Sequence, residues 1–301
     1  MAEMIPYDEM SYFPENASEF GIPYDGPPVV RRRAFPLGDG RSLSALVWGD
    51  AAPELVFLHG GAQNAHTWDT VALALGRPLL AIDLPGHGHS DGPRKSSIAP
   101  RSNAEDVATV IRPAAPDARG VIGMSLGGLT ALALAGIAPE LVRALVLVDV
   151  TPGVTGEKGK VIADFINGPE SFPSFEEILA RTIEYNPTRT ESSLRRGILH
   201  NAEQRPDGSW VWRYRRFRPA EGGPDPFNEF NTLWDVIDGL RMPVMLVRGM
   251  RSQSVVDDED EAELLRRCPT ARVEHVIEAG HSVQGDAPVE LAQLIDAFVP
   301  S

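Results

Sequence analysis

Cysteine is nearly missing from this 301-residue chain: the single Cys268 can form no internal disulfide, which suits a reducing compartment. Its setting in "ELLRRCPT" reads as a helix end, where a lone thiol packs rather than attacks. Positive charge is also short, with 28 Lys and Arg against 42 Asp and Glu and a formal net charge of −14. That balance repels phosphate, so nucleic acid and anionic membrane surfaces are not expected partners, and small uncharged substrates stay open. No run reaches the ~18 uninterrupted apolar residues of a membrane-spanning helix, so no integral membrane segment is expected. The opening "MAEMIPYDEMSYFPENASEFGIPYDGPP" carries acids and prolines where a secretory signal needs a basic start and an apolar stretch, which predicts a cytoplasmic protein. Glycine-rich phosphate loops ending in Lys-Ser or Lys-Thr and dinucleotide fingerprints are absent, and no cofactor is expected. There are no internal repeats or low-complexity tracts.

What the chain does have is 43% hydrophobic residues, enough for one large core with a substantial insertion. From residue 29 onward, short apolar runs alternate with amphipathic stretches, the pattern of a mostly parallel sheet flanked by helices in an α/β fold. Eight runs read as strands: "VVRRRAF", "LSALVWG", "LVFLHG", "PLLAIDLPG", "GVIGMS", "ALVLVDV", "PVMLVRG" and "RVEHVIEAG". Four of them are apolar throughout, as strands covered on both faces are. The first two are joined by the short "PLGDGRS" and should form an antiparallel edge. Residues 153–241 interrupt this rhythm and read as a helical cap inserted after the sixth strand, between core segments 29–152 and 242–301. Within the cap, Ser174 and Glu177 resemble a capping box, and Phe175, Ile178, Leu179 and Ile183 form a helical stripe. Residues 1–28 read as an irregular extension.

The stretch "GMSLGG" places Ser125 between a strand and a helix, with Gly123 and Gly127 leaving room for neighbouring backbone. A bend there lifts the hydroxyl above the strand ends, as a nucleophile elbow requires. A serine hydroxyl is a weak nucleophile at neutral pH and needs a base. His281 in "EAGHSVQGDAP" leaves the last strand at the right place in chain order, whereas His66 and His200 fall in helical segments and His275 in mid-strand. Donors for an oxyanion are expected from "FLHGGAQNAHTW": the amide of Gly61 together with that of Leu126, with His59 ordering the loop. Gly60 beside that loop and Trp210 and Trp212 in "SWVWRYRRF" are the substrate-binding candidates; the alternative for the aromatics, Tyr214 included, is packing of the cap on the core.

Together these motifs resemble the α/β-hydrolase superfamily over residues 29–300: "HGG" after strand three, "DLPGHGHSDG" after strand four, "GMSLGG" after strand five and "GHS" near the end. "LHGGAQNAHTWD", "GMSLGGLTA" and "LVLVDVTP" are similar to a group of actinobacterial, mycobacterial-type serine ester hydrolases. The resemblance implies a Ser, acid, His order along the chain and a mobile cap. Superfamily members with an aspartate nucleophile do not fit, because position 125 is serine.

The resemblance also places the acid of many members just after the seventh strand, where this chain has Arg251, Ser252 and Gln253. Asp257 and Asp258 follow but open a helix, where capping is their ordinary task. Asp149 ends the apolar "LVLVDV", and a buried carboxylate there needs a donor that a histidine supplies. Asp149 is the favoured acid, with Asp257 or Asp258 the alternative. The spacing of His87, His89 and Asp91 imitates a zinc motif, but Gly92 stands where the next histidine belongs, so no metal is expected. The expected function is hydrolysis of small carboxylic esters, thioesters or lactones by a monomer or weak homodimer. Its rivals are a carbon–carbon bond hydrolase using Arg213, Arg215 and Arg216 for an acidic diketone, and a low-turnover binding homologue.

Overall fold

The computed structural model describes residues 4–94, 99–215 and 226–301. All eight expected runs are strands: β1 (Val30–Pro36), β2 (Ser42–Trp48), β3 (Leu55–Leu58), β4 (Leu79–Ile82), β5 (Gly120–Met124) and β6 (Leu145–Val148), followed after the insertion by the last two. The insertion itself carries β7 (Ser171–Phe172), β8 (Ala202–Gln204) and β9 (Trp210–Trp212), and the chain then returns with β10 (Val244–Gly249) and β11 (Arg272–Val276). The large sheet runs β1-β2-β4-β3-β5-β6-β10-β11. β1 is antiparallel to β2 and β2 to β4, while the remaining six strands are parallel.

The apolar runs behave as expected of doubly covered strands: β3, β4, β5 and β6 are buried at every position. Helix Leu126–Ile137 is small and apolar almost all round, and it is buried from Gly127 to Ala135 between the sheet and helix Pro100–Ala114. Pro288 opens the C-terminal helix Pro288–Phe298, whose Leu291 and Ile295 are buried. Each parallel strand thus delivers its following loop to one edge of the sheet, the edge where open α/β sheets bind ligands.

Three features differ from the sequence reading. The insertion holds a small antiparallel sheet, β7-β9-β8, besides its helices. A tight turn with Gly208 at φ 93° closes β8 onto β9, and Phe172 pairs with Trp210. In helix Phe175–Tyr185, Ser174 accepts from the Glu177 amide as a cap, but Thr182 takes the buried place expected of Ile183, which is exposed. Phe175, Ile178, Leu179 and Thr182 share one face at helical spacing, and Ile183 lies at its edge.

The N-terminal extension, expected to be irregular, contains the helix Phe13–Glu19 with Pro14 in its first turn. Phe13 is buried against Trp48 at 4.9 Å between ring centres. No helix among the described residues is long and apolar enough to cross a membrane.

Candidate active site

Ser125 sits between β5 and helix Leu126–Ile137 with φ 51° and ψ −120°, a strained conformation for a residue with a side chain. Such strain costs on the order of 1–3 kcal/mol and persists only where the surroundings enforce it. Here the glycines enforce it: a Cβ on Gly127 would enter the Leu58 carbonyl, and one on Gly123 would enter the Gly127 carbonyl. The helix therefore lies on β3 and β5 with backbone touching backbone, and the turn between β5 and the helix carries the serine to the sheet edge.

β6 runs beside β5, with Met124 opposite Val148, so Asp149 emerges next to Ser125. Asp149 is fully buried and has φ 47°. Its Oδ1 accepts from the Gly249 amide at 3.0 Å and from Ser254 Oγ at 2.6 Å; its Oδ2 accepts from the Val255 amide at 3.1 Å. The remaining partner of Oδ2 is His281 Nδ1, at 2.9 Å. With four donors around the carboxylate, the bond to Oδ2 selects the imidazole tautomer that carries its proton on Nδ1, leaving Nε2 with its lone pair free. Ser125 and His281 both line a cavity of about 110 Å³. Among the described residues Ser125 Oγ has no hydrogen bond, so serine and histidine share a cavity wall rather than a bond.

The loop after β3 forms the same wall. A Cβ on Gly60 would lie 2.5 Å from Met124 Sδ and 3.3 Å from Ser125 Cβ, so only glycine allows this approach. The amide of Gly60 faces Gln63 Oε1 at 3.2 Å, and that of Ala62 donates to His87 Nε2 at 3.1 Å. Among the described residues the Gly61 amide between them has no acceptor. Leu126 opens its helix, where an amide has no carbonyl four residues back to bond. Burial pushes the His87 imidazole down to about 3, reinforced by His59 nearby, so it is neutral and can accept from Ala62. His59, buried and lowered for the same reason, spans from the Gly60 carbonyl to the Leu84 amide and ties the two turns together.

The alpha/beta hydrolase family matches residues 55–294, from β3 into the last helix. The chain belongs to that family. It is 45% identical over 300 residues to esterase Rv0045c of Mycobacterium tuberculosis, covering 97% of this chain and 96% of that protein. A crystal structure of that esterase superposes with a TM-score of 0.86 over 99% of this chain and all of that one. The sn-1-specific diacylglycerol lipase ABHD11 of Danio rerio is 27% identical over 263 residues, 83% of this chain and 79% of that protein.

In this α/β hydrolase the other candidate acids lie apart from His281. Asp257 caps helix Asp258–Arg267 through a reciprocal bond with Asp260 and pairs with Lys158, while Asp258 is exposed and paired with Arg248. Trp210 is buried in the insertion's own apolar cluster, edge-on to Phe175, and does not line the cavity at Ser125. Trp212 packs against Phe165 and Tyr214 and borders a neighbouring chamber. Arg213 is bound to the Ala202 carbonyl and Glu203, Arg215 lies against Gly86 and Gly92, and Arg216 is outside the described residues.

Sequence reasoning missed His87 as the acceptor for Ala62 and Ser254 as a donor to Asp149. Asp91, the third member of the zinc-like spacing, accepts from the Ser42 amide and hydroxyl instead. Ligand atoms of His66, Asp69 and His200 lie within 4.8 Å of one another. The two imidazoles stack face to face, 3.8 Å apart and 12° from parallel, so their in-plane lone pairs do not converge on one ion.

Proposed function

We propose that this α/β hydrolase is a serine hydrolase of carboxylic esters, with thioesters and lactones open to the same chemistry. Ser125 Oγ attacks the carbonyl carbon as His281 Nε2 takes its proton, and the amides of Gly61 and Leu126 receive the oxyanion. Asp149 holds the imidazole and stabilises its protonated form. The histidine returns the proton to the leaving alcohol; a water, deprotonated by the same nitrogen, then releases the acid and restores Ser125.

The observation that carries this reading is the Asp149–His281 bond of 2.9 Å, made by a buried carboxylate on the strand beside the one that ends at Ser125. Likeness to the Mycobacterium tuberculosis esterase supports an ester as substrate. Residues 153–241 act as the cap in this reading, with Ile162, Phe165 and Ile166 forming the roof over Ser125 and Gly60 part of the floor. A cavity of about 110 Å³ favours short acyl groups.

A series of p-nitrophenyl esters of increasing acyl length tests the proposal. Turnover should peak at short chains and fall by about 10³-fold or more in Ser125→Ala. Wild-type rates in that variant would refute the assignment.

A further inference from the structure

A second chamber of about 160 Å³ adjoins the cavity at Ser125, and the two share walls at Ala62, Gln63, Phe165, Asn186 and Ser282. Its chemistry is different. Two of its lining side chains carry a buried nitrogen with no hydrogen-bond partner, Arg189 Nε and His200 Nε2, and Gln284 adds a buried oxygen, Oε1, that can only accept from a donor elsewhere on a guest. Gln284 is only 1% exposed and His200 5%. Buried polar atoms are nearly always paired, so such a cluster marks a place built for a polar guest.

Charge narrows the guest. The second lining arginine, Arg196, is neutralised by Glu19 and Glu15. Arg189 donates to Ser193 Oγ, and among the described residues no carboxylate stands within ion-pair distance of it. The acids nearby are engaged elsewhere: Asp286 accepts from the Gly280 amide and Thr188, and Glu19 from Arg196 and Thr190. Arg189 is half-buried, with its Nε shut off from water and no described carboxylate within ion-pair distance, so its charge is poorly compensated, and water alone supplies hydrogen bonds but no charge. A carboxylate supplies both, and an arginine fork matches its geometry.

We infer that the chamber is a carboxylate subsite, and that the preferred substrates are small esters bearing a carboxylate, anchored by Arg189 while the ester carbonyl lies at Ser125. This rests on the ester-hydrolase reading and deepens it. Anchoring one end of the substrate raises kcat/KM by holding the other end in reach of the nucleophile.

The test compares the p-nitrophenyl half-ester of glutaric acid with the neutral p-nitrophenyl ester of valeric acid, which matches its chain length. Wild type should favour the half-ester at least 10-fold in kcat/KM. Arg189→Met should reduce that ratio at least 10-fold, with Arg189→Lys recovering part of it. Arg195→Met, on the helix Glu191–Asn201 that follows Arg189, exposed and paired with Glu191, should leave the ratio unchanged. An unchanged ratio in Arg189→Met overturns the subsite, as does a wild type indifferent to the carboxylate; the latter result decides the matter even if Arg189→Met does not fold. Should wild type hydrolyse neither ester, the ester reading falls, and titration of Ser125→Ala with glutarate by calorimetry decides the chamber separately. Millimolar or tighter binding, weakened 10-fold by the added Arg189→Met, upholds it; no binding leaves a water-filled chamber only and overturns it.

Discussion

At the scale of single residues, the carboxylate of Asp149 does two things at once. It fixes the loop after β10 through Gly249, Ser254 and Val255, and it orients His281. Replacing it with asparagine keeps the shape but turns one acceptor into a donor and favours the wrong imidazole tautomer. Asp149→Asn should therefore lower kcat on a short ester by about 10³- to 10⁴-fold with KM little changed. Asp257→Ala should leave kcat within about threefold and instead cost about 1 kcal/mol of stability, read from urea unfolding, through loss of the helix cap. The reverse pattern would return the acid's role to Asp257. Asp149 was legible because a carboxylate closing an apolar strand demands a partner. His87 was not: its partner Ala62 lies 25 residues away, and its spacing from His89 and Asp91 points to metal chemistry that the turn does not perform.

At the scale of elements, the elbow depends on how closely β3, β5 and the following helix approach one another. Gly127→Ala sets a methyl against the Leu58 carbonyl, so the helix must move off the sheet. The expected cost is about 3 kcal/mol or more, with activity lost, measured by thermal unfolding and ester turnover. The central strands of the large sheet could be read directly, because burial on both faces demands unbroken apolar runs. The small sheet of the insertion could not. β7, β8 and β9 are two or three residues each, too short for an alternating pattern, and they exist because Phe172, Phe175, Ile178 and Trp210 close around one another.

At the scale of the whole molecule, the N-terminal segment ties the insertion to the core. Ile5 bonds Gln204, Tyr7 bonds His200, and Asn16 and Glu19 hold Arg196, while Glu9 reaches Arg32 and His66. Burial alone would lower the His66 imidazole, but Asp69 and Glu9 outweigh it and lift it to about 9. Burial alone would raise the Glu9 carboxyl, yet bonds from His66 and Arg32 hold it at about 2. The two signs differ. The His66 contribution is complete below about pH 6.5 and is lost as pH rises through 9; the Glu9 contribution is complete above about pH 4.5 and is lost as pH falls toward 2. Urea unfolding should show stability declining by about 2 kcal/mol between pH 6.5 and 9.5, and His66→Gln should flatten that slope. An unaltered slope in the variant would assign the decline to other groups. None of this could be read from the first 28 residues, because their polar side chains find their partners only in the folded chain.

The separation of those partners has a consequence for synthesis. Asn16 and Glu19 wait for Arg196, 180 and 177 residues further on. At about 5–20 residues per second, roughly 10 to 40 s pass on the ribosome before the arginine is even made. Until then Glu15 and Glu19 lack their arginine, so a translating ribosome that stalls within the insertion should present a nascent chain whose first helix is held by Phe13 but not by those pairs, and is more open to chaperones and proteases.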